Sequence, residues 1–240
     1  MNPQKNEGSP QNSLKLSILI PVYNEEETLR DLIARVEEVE VGDLDKEIII
    51  VNDCSKDKSG EILRAYEKKH KVFHHEVNKG KGAAIRTALS HATGDYVIIQ
   101  DADLEYDPGE YANLLKPILD GKADVVYGSR FLGKNTSRYQ LYAFGNKFLS
   151  FMTSLLYFKR ITDMETCYKM FKKSVLDSFT ITCNRFDIEP EVTAKVLKKG
   201  YRLLEIPIHY EGRTKEQGKK IKPKDGLIAL WVLIKYRFVD

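Results

Sequence analysis

Short runs of apolar, largely β-branched residues recur along the first half of the chain and alternate with segments of helical periodicity. These runs predict five strands, at Leu16–Ile20, Glu47–Asn52, Val72–Val77, Tyr96–Gln100 and Asp124–Tyr127. Their nearly continuous hydrophobicity is typical of strands that are buried on both faces of a parallel sheet. The alternation of strand and helix therefore predicts an α/β fold, with a mostly parallel central sheet flanked by helices.

The pattern changes after about residue 129. An apolar and aromatic stretch runs from Tyr139 to Phe158, and a predicted helix near Pro190–Lys199 is followed by a predicted strand over Tyr201–Tyr210. The segment Glu211–Asp225 is rich in Gly and Lys, which predicts a mobile basic loop. An amphipathic helix through Trp231 and Tyr236 is expected to end the chain.

A chain of 240 residues, 42% of them hydrophobic, is long enough for one substantial core. We expect a polar, disordered leader over residues 1–13 and a single catalytic domain over residues 14–212. Residues 213–240 are expected to form the mobile basic loop and the C-terminal helix.

Lys and Arg outnumber Asp and Glu by only 38 to 35, which argues against a surface built to bind nucleic acid. The cysteines Cys54, Cys167 and Cys183 are far apart and lack the spacing of a zinc site. An odd number of dispersed cysteines favours a reducing compartment, so we expect a cytoplasmic location.

The sharpest motif is the acidic segment Asp101-Ala102-Asp103-Leu104-Glu105, directly after a predicted strand. Ligands of open α/β sheets bind at the carboxyl ends of the strands. Asp101, Asp103 and Glu105 alternate along the chain, so an extended segment would place their oxygens on one face, where they could bind Mg²⁺ or Mn²⁺. The alternative is a solvated acidic turn.

Two further polar segments, residues 21–25 and 52–57, follow the first two predicted strands and share this sheet edge. Tyr23 offers a ring for stacking on a base, and Asp53 can accept a hydrogen bond from a ring N–H or a ribose hydroxyl. Taken singly, each segment could be a turn with a helix cap. The Gly- and Lys-rich segment Asn78–Ala84 could bring backbone N–H groups to an anion, or be only a flexible loop.

In this order the segments resemble family 2 glycosyltransferases, and in particular those that transfer sugars to polyprenyl phosphates. The resemblance covers nearly the whole chain from Ile18 to Phe238. Besides the segments above, it rests on Gly128-Ser129-Arg130, Thr162-Asp163-Met164-Glu165-Thr166-Cys167-Tyr168-Lys169, Phe186-Asp187-Ile188-Glu189-Pro190-Glu191 and Gly218-Lys219-Lys220-Ile221.

The resemblance implies a GT-A fold and assigns roles by position. The implied nucleotide-sugar ligands are Pro21, Tyr23, Glu25, Asp53, Lys81 and Asp101. Asp103 and Glu105 are the implied ligands of Mg²⁺ or Mn²⁺, and Arg130 is expected to contact phosphate. Asp101, Arg130 and Asp163 are the implied catalytic residues. Two residues depart from the family pattern: Asn52 replaces a frequent Asp, and Cys54 replaces a frequent Gly. Both departures concern which nucleotide base is bound.

The same resemblance implies inversion at the anomeric carbon by direct displacement. A polyprenyl phosphate acceptor is already anionic and would need cations rather than a base. The implied cations are Arg138, Arg213, Lys215, Lys219 and Lys220. A hydroxyl acceptor would need a general base, for which Asp163 is the candidate.

The C-terminal helix can lie at a membrane surface, pack on the core or join two subunits. We expect a UDP-glucose-like or GDP-mannose donor, a polyprenyl phosphate acceptor and a peripheral position on the inner face of the cytoplasmic membrane. The alternatives are transfer to a soluble, protein or saccharide hydroxyl, a nucleotidyltransferase, and a catalytically silent nucleotide-sugar-binding module.

Overall fold

A computed structural model describes residues 13–133, 140–213 and 223–239, without the side chains of 140–142 and 223. Seven strands form one sheet in the order β3-β2-β1-β4-β6-β5-β7. All neighbours are parallel except β6, which is antiparallel to both β4 and β5. The strands are β1 (Lys15–Val22), β2 (Asp45–Asn52), β3 (Lys71–His74), β4 (Tyr96–Ile99), β5 (Val125–Ser129), β6 (Lys169–Lys172) and β7 (Leu203–Pro207).

Helices cover both faces of the sheet. They are α1 (Leu29–Glu38), α2 (Ser59–Arg64), α3 (Lys81–Ser90), α4 (Tyr111–Leu119), α5 (Gln140–Tyr157), α6 (Lys173–Asp177), α7 (Ile188–Lys198) and α8 (Pro223–Phe238). A short 3₁₀ turn, Pro108–Glu110, precedes α4.

Buried side chains form two apolar layers, one on each face of the sheet. Along β1, Leu19 belongs to the layer that includes α3, α7 and α8, whereas Ile18 and Ile20 belong to the layer that includes α1 and α4. This alternation is the two-residue period of a strand that is buried on both faces. Each fully buried Leu or Ile contributes about 1.5–3 kcal/mol, so the sheet is a rigid platform for the loops at its edge.

The structure confirms the predicted α/β fold with a mostly parallel sheet flanked by helices, although some strands end earlier than predicted. The third strand ends at His74 rather than Val77, and the predicted strand over Tyr201–Tyr210 is limited to Leu203–Pro207. Strand β6 was not predicted, because Lys169 at its start is charged and yet fully buried.

Helix α8 packs on the rest of the molecule through Ala229, Val232, Leu233 and Tyr236. The Tyr157 hydroxyl of α5 donates to the Leu233 carbonyl oxygen at 2.7 Å. The helix is therefore packed on the domain along one face. Across the described parts of the chain, every helix is too short or too polar to cross a membrane.

Candidate functional site

The carboxyl ends of β1, β2 and β4 lie side by side and open into a cavity of about 420 Å³. The loops that follow these strands have unusual backbone conformations. Asn24, Cys54 and Leu104 have φ values of 52°, 59° and 60°, in the left-handed region that non-glycine residues seldom adopt. Such strain is concentrated at functional sites. The value at Cys54 also accounts for the frequent Gly at this position in the family that the sequence resembles.

The structure brings most of the predicted site residues together at this cavity. Its lining includes Pro21, Tyr23, Glu25, Asp53, Lys81, Asp101, Asp103, Glu105, Arg130 and Arg213. Arg138, Lys215, Lys219 and Lys220 lie outside the described residues.

Asp53 organises the loop that leads into α3. Its carboxylate accepts hydrogen bonds from the backbone N–H groups of Lys79 and Gly80, at 2.9 and 2.7 Å, and contacts the His75 ring at 2.7 Å. The predicted contact with a nucleotide therefore competes with three contacts that are already made. Through them, Asp53 links β2 to the start of α3.

Lys81, at the start of α3, connects the acidic motif to α7. Its ammonium group lies 2.7 Å from Asp101 Oδ1 and 3.3 Å from Glu189 Oε1. Burial alone would lower the pKa of Lys81, but Asp101, Cys167 and Glu189 outweigh it and raise this pKa well above its usual value. Burial acts in the opposite sense on Asp101, and Lys81 outweighs it and lowers the pKa of this carboxyl. The Lys81–Asp101 pair is thus charged, and it holds Asp101 in place.

Asp103 and Glu105 form the remainder of the acidic motif. Burial, followed by repulsion from Asp101 and Glu105, raises the pKa of Asp103 to about 8. Glu105 accepts hydrogen bonds from the Tyr210 hydroxyl at 2.7 Å and from the Arg213 backbone N–H at 2.6 Å. Crowded carboxylates of this kind are stabilised when a cation reduces their repulsion.

No group of three or more His, Cys, Asp or Glu side chains is arranged to hold a metal ion within the ranges that the structure describes. The residues nonetheless fit a divalent cation in part, because Asp103 and Glu105 offer only oxygen donors and repel one another. Mg²⁺ and Mn²⁺ prefer such ligands, and Mg²⁺ sites commonly combine one or two carboxylates with phosphate oxygens and water.

Asp163 is not brought to the cavity. It is fully buried and pairs with Arg130, whose Nε and terminal nitrogen contact the two carboxylate oxygens at 2.8 and 2.7 Å. The Arg130 backbone N–H also donates to Asp163 at 2.9 Å. A general base needs a lone pair that faces its substrate, so this geometry does not suit the predicted role of Asp163. The carboxylate instead orients Arg130, which does line the cavity.

Arg213 lies on the side of the cavity formed by the first loop and the acidic motif. Its guanidinium donates to Glu25 Oε2 at 2.8 Å, to the Asp103 carbonyl oxygen at 2.8 Å and to the Thr28 hydroxyl at 3.2 Å. The sequence suggested a contact with the acceptor. In the structure, Arg213 bridges residues that were predicted to bind the donor and the metal.

Two carboxyl groups of the cavity were not predicted as site residues. Glu165 and Glu189 lie in motifs that contribute to the family resemblance, but their spacing alone assigns them no role. Glu189 lies next to both Lys81 and the buried Lys169 of β6. Those contacts depend on the tertiary fold and leave no local pattern.

Comparison with known proteins identifies relatives over most of the chain. A family model described as glycosyl transferase family 2 matches residues 17–180. The dolichol-phosphate mannosyltransferase of Pyrococcus furiosus is 29% identical over 87% of this chain and 61% of its own length. This chain thus spans less than two thirds of that relative. A dolichyl-phosphate beta-glucosyltransferase of Trichomonas vaginalis is 30% identical over 88% of this chain and 69% of its own length.

The fold is also that of solved GT-A structures. Glucosyl-3-phosphoglycerate synthase from Mycobacterium tuberculosis, in complex with phosphoglyceric acid, superposes with a TM-score of 0.70 at 18% identity, over 93% of this chain and 79% of its own. The same protein in complex with Mn²⁺, uridine diphosphate and glucosyl-3-phosphoglycerate gives a TM-score of 0.68 at 17% identity, over 93% and 80%.

Proposed function

The chain belongs to glycosyltransferase family 2, and on that premise we propose that it moves a hexose from a nucleotide sugar to a polyprenyl phosphate at a membrane surface. The donor is proposed to be UDP-glucose-like or GDP-mannose. Both curated relatives described above carry the names of dolichyl-phosphate sugar transferases, one for mannose and one for glucose. The proposal extends their acceptor class to this chain.

One observation carries the proposal: a single cavity joins the polar loops at the sheet edge to the helices α5 and α8. Asn146 and Leu149 of α5, and Asp225 and Ala229 of α8, line the same cavity as Asp101 and its neighbours. The outer faces of both helices carry large exposed apolar side chains. A phosphate bound in the cavity would therefore lie close to a surface suited to its lipid tail.

The apolar surface follows helical spacing on both helices, which are in contact with each other. On α5 it repeats every three or four residues, and on α8 it lies opposite the packed face. Its largest members are Phe144, Phe148, Phe151, Leu155, Leu227, Trp231 and Phe238, which are between 47% and 78% exposed. Exposed apolar patches of this extent mark interaction sites.

Cations border this apolar surface. Helix α5 contains Lys147 and no acidic residue, and Lys159 and Arg160 lie two and three residues after its end. Lys235 and Arg237 lie in the last turn of α8. Aromatic side chains flanked by Lys and Arg are typical of segments that lie in the headgroup region of anionic membranes. We infer that the two helices dock on the cytoplasmic face of a membrane.

At the donor end, Asp103 and Glu105 would hold Mg²⁺ or Mn²⁺. A divalent ion there would neutralise charge that develops on the departing diphosphate. Asp101, fixed by Lys81, would lie beside the sugar, and Arg130, oriented by Asp163, offers a guanidinium to phosphate. The acceptor phosphate would attack the anomeric carbon directly, so no general base is required of the chain.

Transfer should be measured with radiolabelled UDP-glucose and GDP-mannose, farnesyl phosphate or a longer polyprenyl phosphate, and Mn²⁺ or EDTA. We expect metal-dependent formation of a lipid-linked hexose, and its loss in Asp103→Asn. The double variant Phe151→Ser, Trp231→Ser should bind anionic vesicles about tenfold more weakly than the wild type, because each change removes an exposed aromatic anchor.

The matched control is Leu119→Ser on α4, where an apolar side chain is 46% exposed away from the two helices. Its vesicle binding should equal that of the wild type. Wild-type protein that ignores both vesicles and polyprenyl phosphates, but glycosylates a soluble hydroxyl, would refute the proposed acceptor.

A further inference from the structure

Glu165 has a buried carboxyl oxygen, Oε1, with no hydrogen-bond partner among the residues that the structure describes. The side chain lines the cavity that also contains Asp101 and Arg130. Leaving a buried polar atom unpaired is unfavourable, and more so when the group is charged. The neutral acid avoids the larger cost, so this position favours a protonated carboxyl.

The charged groups around Glu165 also favour its protonated form. They are Glu189 from α7, Lys169 from β6, Arg130 after β5 and Asp163 from the preceding loop. Both cations already contact other carboxylates, Lys169 with Glu189 and Arg130 with Asp163. Burial and then Glu189 raise the pKa of Glu165 to about 7, and the two cations offset this rise only in part.

The helical end of the cavity also contains charged groups from the remaining elements, including Arg185 just before α7. Helix α5 contributes the uncharged Asn146 and Leu149, and α8 contributes Lys224 together with Asp225. An anion that enters here is stabilised by hydrogen-bond donors and destabilised by nearby negative charge. A carboxylate at position 165 would repel it, whereas a carboxylic acid can donate to it.

We propose that Glu165, in its protonated form, donates a hydrogen bond to an anionic oxygen of the acceptor phosphate. This inference rests on the proposed function. The phosphate oxygen forms the new bond to the anomeric carbon as the bond to the donor diphosphate breaks, and the electron pair leaves with the diphosphate. The proton stays on Glu165 throughout, so its role is to bind and orient the acceptor.

The test is the pH dependence of kcat/KM for farnesyl phosphate in the wild type and in Glu165→Gln. The acid form is the active one, so the wild-type value should fall as the pH rises through about 7. Glutamine keeps a neutral donor of similar size. Glu165→Gln should therefore be about threefold less active at pH 6 but lose the decline near pH 7, because amide hydrogen bonds are modest contributors.

A second measurement separates this role from the proposed function. Farnesyl phosphate binding should be followed by calorimetry at pH 7.5 in two buffers that differ in ionisation heat. The wild type should take up protons on binding, and Glu165→Gln should take up fewer. Glu165→Ala should weaken acceptor binding about tenfold and leave the dissociation constant of UDP with Mn²⁺ unchanged.

The outcomes are distinct. Binding without proton uptake, or a decline near pH 7 that persists in Glu165→Gln, overturns the role of Glu165 and leaves the acceptor class intact. Activity that rises through pH 7 and disappears in Glu165→Gln also overturns it, and identifies a general base for a hydroxyl. Proton uptake without any sugar transfer supports Glu165 as a hydrogen-bond donor to the phosphate and contradicts the proposed function.

Discussion

Single side chains of the site are held by partners that come from distant parts of the chain. The sequence placed Asp53 and Asp101 at one sheet edge, and both line the same cavity, because that inference needs only the ends of strands. It could not foresee that Asp53 bonds the N–H groups of Lys79 and Gly80, or that Arg130 pairs with a buried Asp163. Each of these contacts depends on the path of a loop.

The Arg130–Asp163 pair gives a residue-scale prediction. Asp163→Asn should destabilise the protein by about 3–5 kcal/mol, because it leaves the Arg130 guanidinium without its buried counter-charge. The double variant Arg130→Met, Asp163→Leu should recover most of that stability but little activity, since Arg130 lines the cavity. Urea unfolding and the transfer assay measure the two effects separately.

A suitable control is Asp177→Asn, which removes an exposed carboxylate that pairs with Lys173 on α6. Pairs of this kind contribute about 0–1 kcal/mol, so unfolding should hardly change. If Asp163→Asn kept full stability and lost only transfer, the carboxylate would be catalytic, as the sequence suggested.

At the scale of elements, apolar runs predicted the strands that are apolar throughout. Strand β6 escaped prediction because Lys169 is neutralised by Glu189 from α7, a contact between residues 20 positions apart. The packing of α3 against the segment before α7 was equally invisible. A Cβ at Gly82 would lie 2.4 Å from the Cys183 carbonyl oxygen. Only the assembled fold shows why glycine is needed there.

This close approach predicts the effect of Gly82→Ala. The added methyl group must push α3 away from backbone atoms, which should cost about 1–3 kcal/mol and exceed the gain of roughly 1 kcal/mol in helix propensity. Because Lys81 precedes this residue, donor affinity should fall as well. Urea unfolding and calorimetry with UDP and Mn²⁺ would measure both effects.

Gly145→Ala on α5 is the matched control, since a Cβ at that position has no neighbour within 4 Å. It should stabilise the protein by up to about 1 kcal/mol through helix propensity alone. Equal behaviour of the two variants would show that the packing of α3 does not limit the site.

For the molecule as a whole, the cavity joins two halves of the sequence, and the sequence predicts the contribution of one half better than that of the other. The donor half has compact motifs at strand ends, which a single sequence displays. The helical half is built from α5, α7 and α8, whose contributions to the cavity emerge only when the helices pack together. For α8 the sequence left open a membrane surface, the core or a second subunit as its partner, and for α5 it indicated only an apolar and aromatic stretch.

Charge in the cavity leads to a prediction for the intact protein. Acidic side chains outnumber basic ones along its described lining, so a diphosphate alone should bind weakly and a divalent ion should assist it. At about 100 times the dissociation constant a ligand adds about 2.7 kcal/mol of stability, equivalent to a rise in Tm of about 5–10 °C for a chain of this size. UDP with Mn²⁺ should approach that shift, whereas UDP or Mn²⁺ alone should give less than about 2 °C. Asp103→Asn should abolish the combined effect, and an equal shift with UDP alone would show that the acidic motif holds no metal.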